Sequence, residues 1–306
     1  MVAKRARLPT GVFGLDRLLG GGVNASTVSV VIGGSGAGKT LFATQFLRKG
    51  LEEGTEGIYI TLDEPPNQIV QEALDMGWND VEDYLKRELL VFVDASGRQF
   101  HEFIQQELVD FCAQWKGAQA RIVIDPLTPV LWSTVRKSQQ RDLISFLFRE
   151  TKGIGTVLCT LEDHGEGRSL SGPDTVIPMY LADAVFHMEM IREAESSRRS
   201  FRVLKCRRSR HSHMVHPYSI VRGPGVVIHD GAPHGPGPTV EQRMALMPQP
   251  VQGQVRSMMK LASQEPPPDL PLGELLGLLI GDYEDHVQPG KDRSGKGAAE
   301  GEEGEP

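Results

Sequence analysis

The sequence predicts an α/β fold with a mainly parallel central sheet, an antiparallel extension at its C-terminal side and a partly disordered tail. Three observations predict it. Up to about residue 230, short apolar β-branched runs alternate with stretches of helical period, as in a parallel sheet flanked by helices. After Ala182 the helical stretches stop and three strand-like runs follow one another across polar turns. Past Asp230 the composition shifts, to Gly, Pro and His over Gly231–Pro238 and to Gly, Glu and Lys from Pro289, the latter a composition that stays disordered.

The first strand, Val28–Ile32, runs into Gly33-Gly34-Ser35-Gly36-Ala37-Gly38-Lys39-Thr40 and then into the helical stretch Leu41-Phe42-Ala43-Thr44-Gln45-Phe46-Leu47. A GxxxxGKT pattern between strand and helix is a phosphate-binding loop. Its glycines let successive N–H groups converge on a phosphate with no Cβ in the way. The new helix turns its positive end toward the same anion. The expected contacts are Gly34, Ser35, Gly36, Ala37, Gly38, Lys39, Thr40 and Leu41. Lys39 reaches the β- and γ-phosphates and Thr40 holds Mg²⁺, so ATP and Mg²⁺ are the expected cofactors.

Further strands are expected at Gly57–Thr61, Leu89–Val93, Arg121–Ile124 and Gly155–Cys159. Helices are expected at Pro66–Asp75, Phe100–Trp115 and Gln139–Lys152, the last with an apolar stripe of Leu143, Phe146, Leu147 and Phe148. Ligands of such sheets sit at the carboxyl ends of the strands. Asp125, which ends the apolar run Arg121-Ile122-Val123-Ile124, is therefore the expected carboxylate for Mg²⁺. Asp63 and Glu64 follow the Gly57–Thr61 strand and are placed to align and deprotonate an attacking water. They equally suit the dipole of the helix that follows Pro65-Pro66.

The antiparallel run is expected at Ala184–Ile191, Phe201–Arg207 and Tyr218–Ile228. It carries a basic cluster: Arg198, Arg199, Arg202, Lys205, Arg207, Arg208, Arg210 and His211. Strict alternation sets Val203, Lys205, Arg207 and Ser209 on one face and Leu204, Cys206 and Arg208 on the other. Lys205 and Arg207 then project together, toward a phosphate, toward nucleic acid or simply into solvent.

The chain of 306 residues carries 33 basic and 40 acidic residues, a net charge of −7 that does not indicate a globally basic nucleic-acid binder. Cys112, Cys159 and Cys206 are too few and too scattered for a disulfide framework or a zinc site. The N-terminus lacks the apolar stretch of a secretory signal. The apolar patch Leu275–Ile280 is too short to span a bilayer, so a cytoplasmic location without membrane contact is expected. The organisation expected is an ATPase domain over residues 1–230 and a tail over 231–306. In the tail, helical patches fall at Val240–Leu246 and Leu270–Asp285 and the stretch from Pro289 is disordered.

Taken together, these residues resemble a known family. Thr10-Gly11-Val12-Phe13-Gly14-Leu15-Asp16 and Leu18-Leu19-Gly20-Gly21-Gly22 are similar to the lead-in of RecA/RadA-type ATPases. The chain more closely resembles one repeat of KaiC, the hexameric ATPase of the cyanobacterial clock, over about residues 8 to 230. Asp63-Glu64 before a proline, Gly77-Trp78, Val93-Asp94-Ala95-Ser96 and the stretch from Lys205 through His211 to Pro217-Tyr218 fit that family. The resemblance implies a RecA-like P-loop fold. It implies that Asp63 and Glu64 occupy the places of two glutamates, catalytic base and partner, with Glu64 the preferred base for its longer reach. It implies that Lys205 and Arg207 reach the ATP of a neighbouring subunit, that His211 contacts nucleotide, and that the protein assembles as a ring, a hexamer. Thr160 falls where related ATPases keep a polar γ-phosphate sensor; a strand-end threonine with local hydrogen bonds is the other reading.

The sequence departs from the clock protein in four respects, the first being Asp63 in place of a glutamate. Arg222 stands where the clock protein's first repeat has an acidic nucleotide contact. Met179-Tyr180 stands at the Ser-Thr phosphorylation pair of its second repeat, and no second ATPase repeat is present. The implied function is a slow ATP-hydrolysing ring with a regulatory or signalling role through a protein partner, its kinase activity open. Two other readings stand beside it. One is a RecA/RadA-type DNA-binding recombinase or mediator, with Arg168–Pro173 as a mobile loop; the other is a nucleotide-binding scaffold that hydrolyses little.

Overall fold

A computed structural model describes residues 6–97, 103–164, 170, 172–192 and 197–229. The tail predictions, from Gly231 to Pro306, and Arg168, Ser169 and Ser171 of the Arg168–Pro173 segment lie outside the described residues.

Nine strands form the central sheet. In chain order they are β3 (Val28–Gly33), β4 (Gly57–Thr61), β5 (Leu90–Asp94), β6 (Ala120–Asp125), β7 (Gly155–Glu162), β8 (Ala184–Arg192), β9 (Ser197–Cys206), β10 (Val215–Val221) and β11 (Gly225–Ile228). A two-residue ladder of β1 (Arg7–Leu8) and β2 (Val23–Asn24) stands apart from it. The spatial order is β11-β10-β9-β8-β3-β7-β6-β4-β5. From β8 to β5 every neighbour is parallel, and from β8 to β11 every neighbour is antiparallel. The predicted mainly parallel sheet with an antiparallel C-terminal extension is the observed one.

The parallel strands read as unbroken apolar runs because helices cover both faces. Alternate residues divide between two cores. Val31, Tyr59, Val123 and Leu158 enter one, together with Phe42, Phe46, Leu47 and Leu51 of α2 (Lys39–Glu52) and Ile69 and Ala73 of α3 (Pro66–Asp75). Val30, Ile32, Ile58, Ile60, Ile122 and Ile124 enter the other, under Leu108 and Cys112 of the Leu108–Gln114 helix and Ile144, Leu147 and Phe148 of the Lys137–Lys152 helix. Each such fully buried aromatic or aliphatic side chain stabilises the fold by about 1.5–3 kcal/mol. All three cysteines are free and buried.

Three element predictions need correction. Tyr218–Ile228 is not one strand but two, β10 and β11, joined by a hairpin at Arg222–Pro224 whose turn is anchored by the Trp78 indole donating to the Gly223 carbonyl at 2.6 Å. The predicted Phe100–Trp115 helix is described from Phe103, where it opens with a π-helical turn to Glu107 before continuing as α-helix. Strict alternation also fails in β9. Val185 pairs with Lys205 but Phe186 pairs with Val203, so Leu204 is a bulged extra residue. Val203 and Cys206 consequently share one core, and Leu204 packs against the other.

The lead-in residues Thr10–Asp16 form a tight turn. Both the amide and hydroxyl of Thr10 donate to Asp16 Oδ1, at 2.8 and 2.7 Å. Gly14 passes so close to β11 that a Cβ there would lie 2.1 Å from the Ile228 carbonyl oxygen. This turn seats the N-terminal segment on the last strand rather than on the phosphate loop.

Candidate nucleotide-binding and hydrolysis site

The phosphate loop leaves β3 at the carboxyl edge of the sheet and enters α2. Gly36 and Gly38 take left-handed backbone angles, φ 77° and 93°. At Gly38 the left-handed backbone disfavours any other residue, and a Cβ there, 2.7 Å from Ile220 Cδ1, would also push that side chain aside. The loop is held from outside by β10: the buried Tyr218 hydroxyl donates to the Ala37 carbonyl at 2.7 Å. Gly34 is unconfined, with no atom within 4 Å of a Cβ built on it, and Ser35 is exposed. The N-terminus of α2 has no side-chain cap and no acidic residue in its first turn. A bare positive helix end behind a glycine cradle fits a phosphate chain.

Lys39 is 6% exposed and lies across this loop. Its Nζ donates to the Gly34 carbonyl at 3.0 Å and pairs with Glu162 Oε1 at 2.7 Å. Glu162 ends β7, whose register sets it directly beside Gly33. The strand expected from sequence ends at Cys159 and leaves Glu162 out, although the strand-end rule that singles out Asp125 applies to Glu162 equally. Thr40 and Leu41 are half-buried on the first turn of α2.

Asp125 ends β6 beside Thr61 of β4 and is 7% exposed. Both of its carboxylate oxygens are held: Oδ2 accepts from the Tyr59 hydroxyl at 2.5 Å, and Oδ1 accepts from the Thr160 hydroxyl. Thr160 is fully buried, so of its two expected roles the local hydrogen bond is the one seen, and its partner is Asp125.

Asp63 is exposed and Glu64 half-buried in the turn after β4, which the Thr61 hydroxyl fastens by donating to the Glu64 carbonyl. Burial, then the charges of Glu72, Asp125, Asp63 and Glu162, raise the Glu64 carboxyl above its ordinary range. Glu72, from α3, is raised in turn by burial and by Asp125 and Asp75. This second acid was not anticipated; on the sequence it reads as one more polar residue of an amphipathic helix.

Lys205 and Arg207 lie elsewhere. They sit at the amino end of the parallel strands, where β9 ends opposite Ala184. Lys205 Nζ donates to the carbonyls of Met179 and Tyr180 at 2.8 and 2.9 Å, and Arg207 Nη2 to that of Tyr180 at 3.1 Å. Together they cap the carbonyl end of the Pro173–Leu181 helix, a favourable place for cations. Burial, then the neighbouring Arg207 charge, lowers the Lys205 ammonium below its ordinary range. His211 lies in the loop before β10, its ring 4.6 Å from that of His213. Lys39, Thr40, Asp125 and Glu64 thus cluster at one edge of the sheet, and Lys205 and Arg207 at the other, about 13 Å of strand away as counted from Ser29 to Gly33.

A glycine-loop lysine, an acid at the end of a nearby strand and a mainly parallel sheet with an antiparallel flank define a P-loop ATPase of the RecA-like class. Within that class the chain belongs to the KaiC family: the family model described as "ATPase: KaiC" matches residues 8–232. Among its relatives is a UPF0273 protein of Pyrococcus horikoshii, 29% identical over 238 residues that cover 73% of this chain and 94% of the relative. A UPF0273 protein of Thermotoga maritima is 30% identical over 238 residues, covering 73% and 96%. The circadian clock oscillator protein KaiC of Thermostichus vulcanus is 29% identical over 233 residues, 72% of this chain but 44% of that protein. The chain spans less than half the length of the clock protein. Among the described residues no helix is long and apolar enough to cross a membrane.

Proposed function

We propose that this protein binds ATP with Mg²⁺ in the β3–α2 loop and hydrolyses it slowly as a cytoplasmic ring of identical subunits, a hexamer. The observation that carries the reading is the separation of two charge sets at opposite edges of one sheet. In this reading the backbone from Gly34 to Leu41 and the Lys39 ammonium hold the phosphates, and Thr40 and Asp125 hold Mg²⁺, Asp125 through water. The metal supplies neutralisation of phosphate charge. Glu64 accepts the proton of the attacking water and Asp63 assists it. Lys205, Arg207 and His211 serve the nucleotide of the adjacent subunit, which couples hydrolysis to ring closure because transition-state charge is met only across an interface. The similarity to a clock oscillator protein supports a regulatory output through a protein partner.

Steady-state phosphate release from ATP, with and without single-stranded DNA, tests the proposal against a Lys39→Ala blank. Slow, Lys39-dependent turnover indifferent to DNA is expected. Strong stimulation by DNA would instead favour the recombinase reading, and ATP binding without turnover a scaffold. Lys39→Ala should itself abolish tight Mg²⁺–ATP binding; retained affinity in a nucleotide titration removes the loop assignment.

A further inference from the structure

Nothing in the motif reading assigns a role to Tyr59, which sits mid-strand in β4 and reads as a core aromatic. Its ring behaves as one: it is 1% exposed and stacks on Phe92 with centroids 5.1 Å apart. Its hydroxyl does not. A buried phenol needs a partner, and this one donates to Asp125 Oδ2 at 2.5 Å from the adjacent strand, while Thr160 donates to Oδ1 from the strand on the other side. A carboxylate whose two oxygens are each held by a neutral donor cannot rotate about its Cβ–Cγ bond. Its remaining lone pairs keep one fixed direction.

We propose that Tyr59 is a positioning residue for the reaction: through its hydroxyl it orients the Asp125 carboxylate toward the metal-bound water. The inference rests on the Mg²⁺ role proposed for Asp125 and concerns how that carboxylate is aimed. Charged hydrogen bonds of this kind change an equilibrium by about tenfold.

The test is a Mg²⁺ titration of the binding of a fluorescent ADP analogue, which needs no turnover. Tyr59→Phe keeps the ring and its stack on Phe92 and removes only the hydroxyl. Its Mg²⁺ midpoint should rise about tenfold while affinity measured in EDTA stays at the wild-type value. Phe92→Leu, which spoils the stack but leaves the hydroxyl, should lower thermal stability without moving the midpoint. An unchanged midpoint in Tyr59→Phe overturns the assignment. So does an equal loss of affinity in EDTA, or a failure of Tyr59→Phe to fold, since the hydroxyl would then serve the fold and not the metal. Asp125→Asn separates the two levels: if it leaves the Mg²⁺ dependence unchanged, the Asp125 role itself is wrong. If it shifts the midpoint and Tyr59→Phe does not, only the Tyr59 inference fails.

Discussion

Glu64 and Glu72 are two carboxyls that the structure pushes the same way, above their ordinary value of 4.5, each chiefly by burial. Each gains a proton more readily in the folded chain than in the unfolded one, so its contribution to stability is present at low pH and is lost as pH rises through the raised value. Replacing Glu72 by Gln removes one such group and one negative charge facing Glu64. The variant should therefore be more stable than wild type at neutral pH by thermal unfolding. The acid limb of its hydrolysis rate should also move to lower pH, because Glu64 ionises more easily. An acid limb that stays in place would mean that Glu64 is not the group whose ionisation limits the rate. At this scale, legibility divided by range. Lys39, Thr40 and Asp125 were readable because a loop pattern and a strand end announce them locally. Tyr59, Glu72 and Glu162 were not, because their meaning lies in partners on other elements: Tyr59 is 66 residues from Asp125, and Glu162 meets Lys39 only once β7 lies beside β3.

Among the elements, the Pro173–Leu181 helix is tied to the basic pair on β9. Lys205 and Arg207 close its carbonyl end, and in the proposed ring the same two groups face a neighbouring nucleotide. A Lys205→Ala/Arg207→Ala variant should bind ATP within about twofold of wild type yet hydrolyse it at least about 100-fold more slowly, the scale of a cation supplied across an interface. Hydrogen exchange in the last turn of the helix should also quicken, since its carbonyls lose their caps. Wild-type turnover in an assembled ring would exclude the trans-acting role. Strand positions were legible from apolar runs bounded by turn residues, and all five predicted parallel strands match to within three residues at either end. The β9 bulge was not. A one-residue slip costs the sequence nothing visible, and only the pairing with β8 reveals that Leu204 has changed sides.

For the whole molecule, one buried cation joins three segments. Arg121, 1% exposed in β6, donates to the carbonyls of Pro9 and Phe46 at 2.7 and 3.0 Å and pairs with Glu53 at 2.8 Å. It fastens the N-terminal segment and α2 to the strand that carries Asp125. Burial lowers its guanidinium's pKa, opposed by Glu53. Arg121→Ala should cost about 2–4 kcal/mol in urea unfolding, because two carbonyls lose their donor and Glu53 its partner; a cost under about 1 kcal/mol would show the tie to be incidental. Overall architecture was the most legible level, since alternation of strand and helix constrains topology strongly. Arg121 was legible only as the first residue of an apolar strand, and nothing in that position foretells its three partners.

The bond from Tyr218 to the Ala37 carbonyl spans 181 residues, and Gln45 at the middle of α2 likewise waits for Pro224 and Val226. The glycine loop thus precedes by about 180 residues the strands that brace it. A nascent chain that has exposed residues 28–52 but not yet β10 and β11 holds the motif without its buttress. The bracing of the loop and of its helix is therefore complete only once β10 and β11 have been made.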